Sequence, residues 1–317
     1  MADYVLGIDI GGTNSKFGFV DREGNIAFEG SFPTEPDTDI HHFLNNLQHH
    51  ISEFAGKNTV IGAGVGAPNA NYYDGTIEHS PNIRWGKLVE FKKHFVEKFG
   101  WDMFLTNDAN AAAMGELVFG GGQGMKHFVV FTLGTGLGSG FIVDGKLVYG
   151  HTGFAGEVGH VTVNPNGRYC QCGRKGCLET YVSATGIKKT VFKLMADYTQ
   201  PSSLRDVSYN DLTAKMITEA AIKEDFIALK AFEYTGKMLG QVLADTVVHT
   251  SPEAIFLFGG LVHAGEYLLG PARKHMDENI FKPFQQTTKV LASSLMDKNA
   301  AVLGASSLAW AEFDTQK

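Results

Sequence analysis

Twice in this chain a short apolar stretch runs into a glycine-rich turn and out into another apolar stretch. The first instance joins residues 4–10 to residues 15–20 through Gly11-Gly12-Thr13. The second joins residues 127–133 to residues 140–143 through Leu133-Gly134-Thr135-Gly136-Leu137-Gly138-Ser139. Short apolar runs bounded by turn residues read as strands, so both instances predict hairpins. The glycines in such turns let a backbone approach a ligand closely. At 317 residues the chain is long enough for two domains of ordinary size, and its two halves open alike. There is no fixed-period repeat of the solenoid kind.

The remaining text alternates strand and helix. A strand at residues 25–32 follows the turn Asp21-Arg22-Glu23-Gly24. Ile40, Phe43, Leu44, Leu47, Ile51 and Phe54 recur at helical spacing and predict a helix over 39–54, with Asp37, Thr38 and Asp39 as capping candidates. A buried-type strand at 60–67, a long polar loop over 69–85, a helix at 87–99, a strand at 103–106 and an alanine-rich helix at 109–118 follow. After Gly120-Gly121-Gly122-Gln123-Gly124 the second cycle starts, with residues 146–149 closing a hairpin at Asp144-Gly145. A glycine- and cysteine-rich insert fills 150–176. The rest is mostly helical, with strands at 254–258 and 289–291 and a last helix at 300–312, apolar on one face. Strands alternating with helices behind an opening meander describe an α/β protein.

Composition narrows the function. Apolar residues make up 44% and charged residues 19%, as in soluble globular proteins. A net charge of −7 without any lysine or arginine run argues against nucleic acid or an anionic membrane as partner. No apolar segment approaches a membrane span and no basic, apolar leader opens the chain, so a cytoplasmic protein is expected.

Four groups of residues carry the chemistry. In Asp9-Ile10-Gly11-Gly12-Thr13-Asn14-Ser15-Lys16, backbone N–H groups at Gly11 and Gly12 can meet phosphate oxygens, Thr13 adds a hydroxyl and Lys16 a cation, and Asp9 can hold Mg²⁺ through water; an ordinary hairpin turn is the alternative. The element around Gly134, Thr135 and Gly136 contains G-x-G-x-G, but a dinucleotide fingerprint needs a helix to start there. Residues 141–145 read instead as strand and turn, so this is a second glycine hairpin. Two such hairpins facing one another from two domains can clamp a triphosphate.

His160, Cys170, Cys172 and Cys177 form the sharpest constellation. Three thiols and one imidazole are a tetrahedral structural zinc set, and the C-x-C-x4-C spacing with Gly173 and Gly176 relieving the turns lets a short loop fold round one ion. An odd number of clustered cysteines does not suit a disulfide framework. At the strand-to-helix junction Asn107-Asp108, either residue can simply be a helix N-cap. The company of Asn82, Asn107, Glu157 and Glu179 in loops flanking the glycine hairpins points further, because amides and carboxylates are what several sugar hydroxyls require. Phe256-Leu257-Phe258-Gly259-Gly260 ends a strand with two glycines, against which an adenine ring can lie, or which simply turn the chain toward a helix.

These residues resemble the ROK family of bacterial sugar kinases and related repressors. The stretch from Gly156-Glu157-Val158-Gly159-His160 through Cys170-Gln171-Cys172-Gly173-Arg174-Lys175-Gly176-Cys177-Leu178-Glu179 is similar to the family's signature. The resemblance implies a two-domain actin-like ATPase (ribonuclease H-like) fold with an interdomain cleft. It also implies a smaller domain from 1–108 plus 301–317 and a larger one from 109–300 that carries the zinc loop.

By the same resemblance Asp108 is general base. Asn82, Asn107, Glu157, His160 and Glu179 hold sugar hydroxyls, with one His160 ring nitrogen for sugar and the other for zinc. Gly11, Gly12, Thr13, Gly134, Thr135 and Gly136 take the ATP phosphates, and Gly259 and Gly260 lie near adenosine. The implied reaction is ATP-dependent phosphorylation of a hexose, glucose first, by a homodimer using Mg²⁺. N-acetylglucosamine, N-acetylmannosamine, mannose, fructose and a non-catalytic sugar sensor are the alternatives. In Gly66-Ala67-Pro68-Asn69, Asn69 stands where many family members have glycine near the sugar. With the phosphate motif starting at Asp9, the repressors' N-terminal DNA-binding helix-turn-helix is expected to be absent.

Overall fold

A computed structural model gives the structure of the chain and describes residues 2–80, 83–296 and 299–315. It divides into two compact units. The first comprises Met1–Met125, Gly140–Gly156 and Ser294–Lys317; the second comprises Lys126–Ser139 and Glu157–Ser293. The family resemblance implies boundaries at 108/109 and 300/301. The helix that begins at Asp108 belongs to the first unit because it packs along the last helix of the chain.

In the first unit β1 (Asp3–Ile10), β2 (Asn14–Val20) and β3 (Ile26–Pro33) form the expected antiparallel meander. It is followed by α1 (Ile40–Ala55), β4 (Thr59–Gly66), α2 (Phe91–Phe99), β8 (Asp102–Thr106) and α3 (Asp108–Phe119). The sheet order is β3-β2-β1-β4-β8, with β4 parallel to both β1 and β8. Asp39 caps α1, its carboxylate accepting the His42 N–H at 2.8 Å. The helical stripe read from sequence puts Phe43, Leu44, Leu47 and Ile51 against Leu6, Ile8, Phe17 and Phe19 of the sheet and Phe91 and Phe95 of α2. Full burial of each such side chain contributes about 1.5–3 kcal/mol, so this layer dominates the unit's stability.

The opposite sheet face receives α8 (Ala300–Thr315). This helix differs from the expected one-faced helix. Val302 to Trp310 are all buried, because α3 covers the side that the sheet leaves open. Close approach makes that possible: a Cβ on Gly64 would lie 1.8 Å from the Ala305 carbonyl oxygen.

Two other expectations are corrected. The polar loop over 69–85 and the start of the helix at 87 contain a small antiparallel sheet of β5 (Ala70–Asn71), β6 (Thr76–Glu78) and β7 (Leu88–Val89), so α2 starts only at Phe91. Strands of two or three residues have no periodicity to read. They exist here because Ile77 and Val89 are drawn into the core.

The second five-stranded sheet has the order β11-β10-β9-β12-β13, from β9 (Phe128–Leu133), β10 (Leu137–Val143), β11 (Lys146–Leu147), β12 (Ala254–Phe258) and β13 (Lys289–Ala292). β12 runs parallel to β9 and β13. The helices of the second unit are α4 (Ala184–Asp197), α5 (Ala214–Ile222), α6 (Phe226–Thr250) and α7 (Glu266–Asn279), the last packed along α6. Among the described residues no helix is long and apolar enough to cross a membrane.

Candidate functional site

Strand register lines up the first group. Asp9 pairs with Gly66, and Gly66 with Thr106, so the C-terminal ends of β1, β4 and β8 are level. In parallel sheets that edge is where ligands bind. Asp9 also faces Lys16 across the β1–β2 hairpin. Gly11, Gly12 and Thr13 form the turn. Its backbone is braced by a residue the sequence reading missed: the buried Thr34 hydroxyl donates to the Gly11 carbonyl at 2.7 Å, and the Thr34 N–H donates to the Thr13 carbonyl at 2.9 Å. Nothing local marks Thr34, since it lies 23 residues from Gly11 in sequence.

Asn107 and Asp108 both engage the N-terminus of α3. The Asn107 side-chain oxygen accepts the Asn110 N–H at 2.7 Å, so the helix-cap reading of Asn107 is correct as far as that atom goes. Asp108 Oδ1 accepts the Ala109 N–H at 2.9 Å. The Asp108 residue is open to water on one side, yet protein crowds its carboxyl. That desolvation pushes its pKa up, against the two backbone N–H groups that favour the anion. Burial, then the charge of Asp108, pushes Asp9 up to about 6, while Lys16 pulls the other way. Asn82 lies outside the described residues. Asn69 adopts a left-handed backbone (φ 53°), and its amide donates to the His79 carbonyl at 3.2 Å.

The second unit gathers the other groups. After Gly134, Thr135 and Gly136 the chain continues as β10, so the strand that argues against a dinucleotide fingerprint is present. Gly134 donates its N–H to Gly136 across the turn at 3.0 Å. The N-terminus of α4 clasps the same turn, with the Ala184 N–H on the Gly134 carbonyl at 2.8 Å and the Thr185 hydroxyl on the Thr135 carbonyl at 3.0 Å. Glu179 closes it from the other side, one carboxylate oxygen accepting the Leu137 N–H at 3.1 Å.

His160, Cys170, Cys172 and Cys177 converge as the sequence predicts, their ligand atoms all within 4.8 Å of one another. Cys172 and Cys177 Sγ are 3.6 Å apart, and Cys170 Sγ lies 3.7 Å from His160 Nδ1. A tetrahedral ion with ~2.3 Å metal–sulfur bonds needs ligand atoms about 3.8 Å apart, so this donor set fits zinc in both chemistry and spacing. Gly176 is required here: its φ is 75°, and a Cβ would lie 1.7 Å from the Asn164 carbonyl oxygen. Glu179 Oε1 lies 3.7 Å from Cys170 Sγ, which ties the cysteine loop to the glycine hairpin through one carboxylate. Glu157 is exposed immediately before the short 3₁₀ turn Val158–His160.

A cavity of about 520 Å³ opens in this unit beside the hairpin. Leu133, Gly134, Thr135 and Gly260 line it together with Ala184, Ala214, Lys215, Thr218 and His263, which sequence reasoning missed. Lys215 and Thr218 sit one turn apart on α5, and His263 lies in the 3₁₀ turn Gly260–Ala264. A helical lysine on a surface helix carries no local signal that it borders a cavity. Gly259 lies at the end of β12 with φ 107°.

The chain is 35% identical over 286 residues to the glucokinase of Halalkalibacterium halodurans, covering 86% of this chain and 85% of that one. It is 30% identical to the xylose repressor of Bacillus spizizenii, covering 97% of this chain and 77% of the repressor. The structure of a ROK family glucokinase from Streptomyces griseus in complex with glucose and AMPPNP superimposes with a TM-score of 0.82 at 33% identity, over 96% of this chain and 98% of that one. The model of the ROK family matches residues 5–312, and the chain belongs to that family.

Proposed function

We propose that this protein is an ATP-dependent sugar kinase that converts glucose to glucose 6-phosphate with Asp108 as general base. The observation that carries the reading is Asp108: the residue is exposed, desolvation of its carboxyl raises its proton affinity, and its charge is felt by Asp9 at the ligand-binding edge of a parallel sheet. A carboxylate whose proton affinity is raised toward the working pH is suited to accept a hydroxyl proton late in transfer. Identity to glucokinases over most of the chain supports glucose as substrate and ATP as donor.

Phosphoryl transfer is mostly positioning and charge stabilisation. In the first unit the N–H groups of Gly11, Gly12 and Thr13, with Lys16, are offered to phosphate oxygens; in the second, those of Thr135 and Gly136 are, the Gly134 N–H being spent on the Gly136 carbonyl. The cavity next to Gly260 takes the nucleoside, with Lys215, Thr218 and His263 as its polar lining. Asn107, whose oxygen is used by the helix, donates through its amide to a sugar oxygen, and Asn82, Glu157 and Glu179 hold further hydroxyls. His160 directs Nδ1 toward Cys170 and so keeps Nε2 for the sugar. Asp9 would hold Mg²⁺ through water, which supplies neutralising charge to the phosphates. His160, Cys170, Cys172 and Cys177 would hold zinc, which supplies rigidity to the loop bearing Glu157 and Glu179.

A coupled assay of ADP release against a panel of glucose, mannose, fructose, N-acetylglucosamine and N-acetylmannosamine tests the reading. Glucose-dependent ADP is expected. ADP release without sugar, or none with any hexose, overturns it. One observation favours a second reading, a sugar sensor without catalysis: the identity to xylose repressors along 97% of the chain. Sugar binding by calorimetry without ADP release would select it.

A further inference from the structure

Arg168 lies two residues before Cys170, and its guanidinium is spent entirely inside the second unit. Nη1 donates to the Thr180 carbonyl at 2.7 Å and to the Gly186 carbonyl at 3.0 Å, and Nη2 donates to the Thr190 hydroxyl at 2.9 Å. Its Cζ stands 4.5 Å from the ring centroid of Tyr181. The Arg168 N–H donates to the Tyr181 hydroxyl at 3.1 Å, and its carbonyl accepts the Gly176 N–H at 2.8 Å. One residue therefore ties the cysteine loop, the 3₁₀ turn Leu178–Thr180 and the first turns of α4 together.

We propose that Arg168 is the positioning residue for Glu179, fixing the turn from the side that the four metal ligands do not reach. This rests on the reading of Glu179 as a sugar ligand. Cys177 anchors the turn at its start, and Arg168 anchors it at Thr180, directly after Glu179. Little slack is allowed. The Glu179 carboxylate lies against the backbone of Gly136, where a Cβ would come within 2.4 Å of it, and holds the Leu137 N–H at 3.1 Å. The Ser183 hydroxyl donates to the Glu179 carbonyl at 2.7 Å, and the Arg168 guanidinium reaches from the cysteine loop to both this turn and α4. A lysine ammonium has neither the planar fork to reach three oxygens on two elements nor the face to stack on Tyr181.

The test uses the full-length enzyme and the variants Arg168→Met, Arg168→Lys, Glu179→Gln and the double variant Arg168→Lys/Glu179→Gln. Removing a residue that orients a ligand-bearing side chain typically costs about 10-fold or more. The sugar KM should rise about tenfold in Arg168→Met and less in Arg168→Lys, with metal content unchanged. The double variant should match Glu179→Gln alone, because Arg168 acts through Glu179. Effects of the two single changes that multiply in the double variant overturn the proposal, as does metal loss in Arg168→Lys. If Glu179→Gln raises the sugar KM while both Arg168 variants keep the wild-type value, the proposal alone falls. If Glu179→Gln leaves the sugar KM unchanged, the sugar-ligand reading fails and takes the proposal with it. Should Arg168→Met not fold, the lysine variant and its double decide.

Discussion

The charge of Asp108, at the N-terminus of α3, disfavours ionisation of Asp9, which lies level with Gly66 and Thr106 at the end of the sheet. Two carboxyl groups at one sheet edge thus have raised proton affinities, with desolvation the larger cause in each. Desolvated carboxyls gathered at the ligand-binding edge of a sheet are what a functional site presents more often than a purely structural surface does.

Asp9 should make stability fall as pH rises. Its folded pKa of about 6 exceeds the unfolded carboxylate value, so the folded state holds the extra proton between the two. The favourable contribution is complete below the unfolded pKa and is lost as pH rises through about 6. Without nucleotide or divalent cation, Asp9→Asn should stabilise the protein at pH 7.5 by roughly 1–3 kcal/mol and by much less at pH 4.5. Urea denaturation at both pH values checks this; an equal gain at both would contradict it.

Asp108→Asn should lower kcat by about 10²–10⁴-fold with little change in sugar affinity, because asparagine keeps the shape but not the basicity. Steady-state kinetics with the preferred hexose give the answer. A retained kcat would exclude Asp108 as base.

Zinc loading should release protons. In the metal-free chain burial pushes the Cys170 thiol up to about 12 and raises Cys177 as well, so both are thiols at neutral pH and become thiolates only on a cation. An indicator-dye titration should find about two to three protons released per zinc, with one zinc bound per chain. Chelation should lower Tm and raise the sugar KM. Well-folded protein free of zinc would refute the ligand assignment.

Gly259→Ala and Gly260→Ala should part company. A Cβ on Gly259 would lie 2.7 Å from the Leu133 carbonyl oxygen at a backbone φ of 107°, whereas one on Gly260 meets nothing within 4 Å. The first substitution should cost about 1–3 kcal/mol and, if the proposed role of the Gly134–Gly136 turn holds, weaken ATP binding, since Leu133 leads into that turn. The second should leave Tm within a degree or two of wild type. Thermal melts of the pair, with ATP KM values, make the comparison.

Much of the first unit was legible because its signals are local. The spacing of Phe43, Leu44, Leu47 and Ile51 names a helix and its buried face, and Asp39 marks where it begins. His160 and the three cysteines announced their cluster by donor type and spacing, and they do converge. The sheet of β5, β6 and β7 was not legible, because each strand is too short to show alternation and is held by partners across a turn or a helix start.

Residue types and short spacings by themselves determined the α/β alternation, the two glycine hairpins and the metal donor set, since each depends on donor type or on neighbours within fewer than twenty positions. Only the tertiary structure decided that Thr34 braces the Gly11 turn, that Lys215 and His263 border the cavity at Gly134, that α8 is buried all round, and that Asp9 shares its field with Asp108. Those facts join residues from 23 to more than 200 positions apart. Burial and electrostatic fields are summed over neighbours in space, and a linear pattern does not carry them.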